Sequence, residues 1–126
     1  MPRSVPSLPD MPPNDYPYSQ VVEANGFVFL AGQVGNEPGG SGPIAGGIEA
    51  ETRVTLDNIG RLLAAVGLGF GDVVQCTVYL TDMTEFARMN TAYREYFPTE
   101  PPTRATVGVS ALASTYRVEI VAVAAR

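Results

Sequence analysis

"DVVQCTVYLTDMTEFARMNTAYREYF", residues 72–97, decides the fold. Its first part, "DVVQCTVYLTD", is rich in β-branched residues and predicts a strand. Its second part, "TEFARMNTAYREYF", predicts a helix capped by Asp82 or Thr84 and stopped by Pro98. Both parities of "VVQCTVYL" carry apolar groups, with Val73, Gln75, Thr77 and Tyr79 on one side and Val74, Cys76, Val78 and Leu80 on the other. A strand of this kind needs cover on both faces of its sheet.

Upstream, "YSQVVEANGFVFLAGQVG" reads as strands over about 18–24 and 26–34, joined at Asn25-Gly26, a type I′ hairpin signal. "NEPGGSGPIAGG", 36–47, is a glycine-proline loop with the composition of a mobile lid but no phosphate-binding motif. In "IEAETRVTLDNIGRLLAAVG", Ile48, Leu56, Ile59, Leu63 and Val66 recur near helical spacing, and Gly67 stands at the C-terminal cap. Downstream, strands are predicted over about 103–109 and 116–124. Residues 1–17 hold much of the proline and read as an extended arm.

The order ββαβαββ predicts one α+β domain over 1–126, a mixed sheet with two helices on one face. The other face then stays half apolar: Val121 and Val123 share parity with Arg117 and Glu119. Such a face reads as a subunit interface, so a homo-oligomer is expected.

Composition removes most catalytic designs. There is no His, and all eight cations are arginines. Histidine bases, Ser-His-Asp triads, Schiff-base lysines and the P-loop lysine are excluded together. Cys76 is the only cysteine, which excludes an intrachain disulfide and a thiolate metal cluster. At mid-strand it reads as a small buried hydrophobe, with nothing nearby to lower its pKa. The net charge of −5 argues against a nucleic-acid surface. No apolar run approaches the ~20 residues of a membrane span, and the proline-rich N-terminal stretch is unlike a signal peptide, so a cytoplasmic location is expected. The aromatic residues of "YREYF" stand at helical spacing and read as core.

Two charges stand out in the last strands, Arg104 in "TRATVGV" and Glu119 in "RVEIVAV". Parity sets Arg104, Thr106 and Gly108 on one face, and Arg117, Glu119 and Val121 opposite the apolar run of Val118, Ile120, Ala122 and Ala124. A hairpin pairing 109 with 114 would put 104 across from 119; the two could equally meet between subunits. The pair reads as a cross-strand ion pair, worth a few tenths to about 1 kcal/mol when exposed. It also reads as a two-pronged clamp for a small carboxylate beside a carboxylate base.

The segments "YSQ", "LAGQ", "TLDNIGRLLAAVG", "DVVQCTVYLTDMTEFARMNTAYREYF" and "PPTRATVGV…VEI" resemble, from about residue 13 onward, the RidA (YjgF-type) family of reactive imine and enamine deaminases, also known as the L-PSP endoribonuclease family. The resemblance implies a chorismate-mutase-like fold and a homotrimer with three active sites in the clefts between subunits. It implies hydrolysis of 2-imino and enamine acids to 2-oxo acids and ammonia, without metal or organic cofactor. It places the carboxylate-binding arginine on Arg104 and the water-positioning glutamate on Glu119. Tyr18, Gly32 and Asn90 fall on further substrate-binding positions. Three positions depart from the family pattern: Ala31 replaces a serine, Thr106 a cysteine and Tyr16 a glycine. Thr106 offers backbone groups as the cysteine does, whereas Ala31 and Tyr16 point to a changed substrate. A related reaction on another carboxylate-bearing enamine, or a non-catalytic 2-oxo acid binder, are the alternatives.

Overall fold

The computed structural model describes residues 3–8 and 15–126. Positions 1–2 and 9–14 of the expected arm lie outside them. Of the rest, Ser4 exchanges backbone hydrogen bonds of 2.9 Å in both directions with Glu23, which ties the arm to the sheet edge.

The hairpin forms where Asn25-Gly26 predicts it. Strands β1 (Val21–Ala24) and β2 (Phe27–Leu30) pair antiparallel, and Asn25 and Gly26 take φ of 53° and 82°, the left-handed pair that a type I′ turn requires. The second strand is shorter than its apolar run. The ladder breaks at Ala31-Gly32, and β3 (Gln33–Val34) leaves β1 to pair with a later strand.

The glycine-proline loop folds back on itself through Glu37 N–H to Gly42 O and Ile44 N–H to Gly35 O, each 2.8 Å. Helix α1 (Gly47–Ala65) follows and buries every apolar position the periodicity marks. Its end is a Schellman motif: Gly67, φ 79°, donates to Ala64 O, and Leu68 donates to Leu63 O. Glu51 of α1, 2% exposed, accepts N–H groups from Arg117 (2.6 Å) and Val118 (3.1 Å). Burial pushes its carboxyl up and these donors oppose the shift. Gly35 packs on Glu51 so tightly that a side-chain carbon there would overlap the helix backbone.

Strand β4 (Val73–Leu80) is followed by a short 3₁₀ turn, where Asp82 accepts the Thr84 N–H at 3.0 Å, and by helix α2 (Phe86–Arg94). The helix stops at Arg94, ahead of Pro98, in turns closed by the N–H groups of Glu95 and Tyr96. Strands β5 (Thr103–Gly108) and β6 (Val118–Ala125) complete the sheet.

The hairpin considered for the last two strands does not form. The sheet order is β1-β2-β6-β4-β5, with β4 between β5 and β6. β5 runs parallel to β4, and β6 runs antiparallel to β4, β2 and β3. The reason lies in the connections: α2 is a crossover that returns the chain parallel to β4, and β6, apolar along one whole face, fits the middle of the sheet. Arg104 therefore lies opposite Cys76, and Glu119 opposite Tyr79.

One sheet face packs on α1 and α2 through Cys76, Val78, Leu80, Val118, Ile120, Ala122 and Ala124. The other has no cover among the described residues. On it Phe27, Phe29 and Val107 remain 45%, 46% and 43% exposed.

Candidate active site

Phe86, Asn90 and Tyr93 stand at i, i+4 and i+7 on α2 and so share one side of the helix. Arg104 is brought beneath that side by strand parity. Its neighbour in register, Cys76, is 1% exposed and belongs to the helix-covered face. The guanidinium carbon lies 4.7 Å from the Tyr93 ring centre and 5.7 Å from that of Phe86. This arrangement contributes roughly 0.5–2 kcal/mol, depending on desolvation, and limits how the fork can turn. No carboxylate of the described residues lies within 4 Å of it.

Arg104 opens onto a cleft of about 260 Å³. Asn90, Tyr93 and Arg94 line it from α2, and Phe97, Pro101 and Pro102 form its apolar wall. Buried side-chain oxygens without a hydrogen bond gather here. Of four such atoms among the described residues, Asn90 Oδ1, Tyr93 Oη and Thr106 Oγ1 belong to this neighbourhood and only Thr52 Oγ1 lies elsewhere, in α1. These oxygens beside an arginine without a carboxylate are groups that a polar ligand in the cleft could satisfy. Tyr93 Oη faces Cys76 and Arg104 without hydrogen-bonding geometry to either. Burial pushes the Tyr93 hydroxyl up, and likewise the Cys76 thiol despite the nearby Arg104 charge. Cys76 is thus the buried apolar filler expected, although a cation does stand beside it.

Glu119 lies on the opposite face, two strands from Arg104. Its position opposite Val34 in the β3–β6 ladder brings it under Gly32, at the break between β2 and β3. Ala31 N–H donates to Gln20 O at 2.8 Å, and Gln33 Nε2 donates to Gln20 Oε1 and Ala31 O at 3.2 and 3.1 Å. These bonds fix the backbone that crosses the carboxylate. Burial pushes the Glu119 carboxyl above its usual range. Tyr16 and Tyr18 stack at 6.2 Å and 8°, exposed by 70% and 54%.

The residues marked in the sequence therefore fall into separate groups. Arg104, Asn90 and Thr106 gather beside α2, Glu119, Gly32 and Ala31 gather on the open face, and one protomer does not join them. Sequence reasoning misses Tyr93, Arg94 and Phe97 as cleft residues, although a spacing of three and four from Asn90 puts Tyr93 and Arg94 on its side of α2, with Phe97 just beyond the helix end. Tyr93 and Phe97 are core, at 6% exposed each, and cleft wall at once.

The endoribonuclease L-PSP family model matches residues 10–126. A RutC family protein of Pyrococcus horikoshii is 44% identical over 108 residues, 86% of each chain. The 2-iminobutanoate/2-iminopropanoate deaminase of Mus musculus is 39% identical over 122 residues, 97% of this chain and 90% of that one. Among solved structures, E. coli TdcF with bound serine superposes with a TM-score of 0.82 at 34% identity, over 91% of this chain and 92% of TdcF. The α+β fold with its mixed sheet and two helices is that of Rid proteins, and with the family model matched over almost all its length, the chain belongs to the YjgF/RidA family.

Proposed function

We propose that this protein hydrolyses reactive 2-imino and enamine acids to 2-oxo acids and ammonia, in sites assembled between copies of the chain. The observation that carries the reading is Arg104: a guanidinium held over Tyr93, facing a cleft, with no carboxylate partner among the described residues. A cation so placed is free to take an anionic ligand through its parallel donors. The mouse relative's name, an imine deaminase, and the amino acid bound in TdcF support a small carboxylate.

Arg104 would hold the substrate carboxylate through two parallel N–H donors. The Asn90 side chain and the backbone at Thr106 would orient the imine nitrogen, and Tyr18 would line the pocket. Glu119 takes a proton from water as the oxygen adds to C2 and passes it to the imine nitrogen, giving a neutral tetrahedral carbinolamine. Glu119 then takes the remaining proton from the carbinolamine hydroxyl and delivers it to nitrogen as the C=O forms and the C–N bond breaks, so that ammonia leaves with the 2-oxo acid and the carboxylate is regenerated. A carboxyl raised by burial is the stronger base for this work.

Arg104 and Glu119 sit on opposite faces, so a second copy must bring its Glu119 to the first copy's cleft. The exposed Phe27, Phe29 and Val107 supply an apolar surface for that contact, and a homotrimer is the assembly we propose. Ribonuclease action, which the family model's name suggests, finds little support in an acidic chain without His. A related enamine as the physiological substrate is favoured by Tyr16, stacked and exposed at a position where the resemblance implies glycine.

The test is a coupled assay. Threonine dehydratase or an amino-acid oxidase generates imines in situ, and 2-oxo acid formation is followed with and without the protein. Acceleration abolished by Arg104→Ala supports the reading; 2-oxo acid binding without acceleration makes the protein a binder.

A further inference from the structure

We infer that the cleft accepts substrates with a second anionic group, the imines of acidic amino acids, through Arg94. This rests on the reading of Arg104 as the clamp for the α-carboxylate. Two arginines line one cleft, the half-buried Arg104 from β5 and the exposed Arg94 from the last turn of α2. Neither has a carboxylate within 4 Å among the described residues. Outside the N-terminal arm with its Arg3, the other arginines contrast with them: Arg53, Arg88, Arg117 and Arg126 each pair with a glutamate, and Arg61 bonds Asn58. Two cations on one cleft can each engage an anionic group, so a dianion gains a second charge-assisted contact that a monoanion lacks.

Phe97, Pro101 and Pro102 line the cleft with apolar surface suited to a short methylene chain and offer no competing charge. The bland role for Arg94 is a cation complementing the negative end of the α2 dipole, and that role predicts no dependence on the ligand's charge.

The experiment compares ligands in pairs. Binding of oxaloacetate and 2-oxoglutarate is measured by calorimetry against pyruvate and 2-oxobutanoate, with the wild-type chain, Arg94→Glu and Arg94→Lys. In parallel, turnover of imines made by an aspartate oxidase is compared with that of alanine-derived imines. We expect the wild type to favour the dicarboxylates, and Arg94→Glu to lower the dicarboxylate-to-monocarboxylate ratio roughly ten- to hundredfold, as for a lost charge-assisted contact. Arg94→Lys should restore part of it. A ratio near one in the wild type, or a ratio unmoved by Arg94→Glu in a variant of normal melting temperature, overturns the inference. Should no imine be turned over, the proposed activity fails, while the binding ratios still decide the role of Arg94.

Discussion

The Glu119 carboxylate lies against the backbone of Gly32, so that a methyl group on Gly32 would overlap Oε2 and stand 3.1 Å from Cδ. The obstructed atoms are the far end of a flexible side chain, which can swing aside. Gly32→Ala should therefore melt within a few degrees of the wild type yet lose imine hydrolysis by roughly tenfold or more, because the base is displaced. Gly35→Ala is the converse. There the obstruction is the α1 backbone at Glu51, and a loss of about 1–3 kcal/mol is expected. Thermal denaturation beside the coupled assay checks both.

Replacing Glu119 by Gln separates base from shape. Turnover should fall roughly 10²-fold or more while 2-oxobutanoate binding stays within a few-fold. The same variant reports on pH. Because burial raises this carboxyl in the fold, the folded state holds the proton more tightly than the unfolded chain. Its ionisation thus costs stability, a cost absent below the unfolded value of about 4.3 and complete above the folded pKa. Glu119→Gln should raise the melting temperature near neutral pH, with the gain shrinking as pH falls toward the unfolded value.

Arg104→Lys keeps a positive charge but loses the fork. Ligand binding and turnover should weaken together by about 2 kcal/mol, roughly thirtyfold. Calorimetry and the imine assay on one preparation decide it; turnover alone falling would remove the clamp.

Tyr93→Phe keeps the ring beneath Arg104 and removes a buried hydroxyl that bonds nothing. Stability should be equal or higher by up to about 1 kcal/mol. A simultaneous fall in turnover would show that the hydroxyl meets the substrate.

Tyr16 and Ala31 are the positions expected from the family resemblance to alter substrate choice. Restoring the pattern with Tyr16→Gly and Ala31→Ser should shift preference among alanine-, threonine- and leucine-derived imines by about 1–3 kcal/mol. Unchanged relative rates would leave both positions without a role in selection.

The local elements are legible in the sequence because each rests on residues close along the chain. Asn25-Gly26 marks the hairpin, and the spacing from Ile48 to Val66 with Gly67 marks α1. Strand pairing is not legible, because parity tells which face a side chain takes but not which strand lies beside it. Arg104 and Glu119 each take the parity their strands predict, yet only the insertion of β4 between β5 and β6 puts them on opposite faces. Tyr93 reads as core, and it is core; its service beneath Arg104 depends on the β4–β5 register, which no local pattern carries.

β6 has a consequence for how the chain reaches this state. It pairs with β2 and β3 on one side and β4 on the other, and no other strand of the described residues joins the N-terminal hairpin to the β4–β5 pair. The sheet therefore closes only when residues 118–125 arrive, and closure must bring together strands about 95 residues apart, a slow non-local step that leaves strand edges open until that stretch is made.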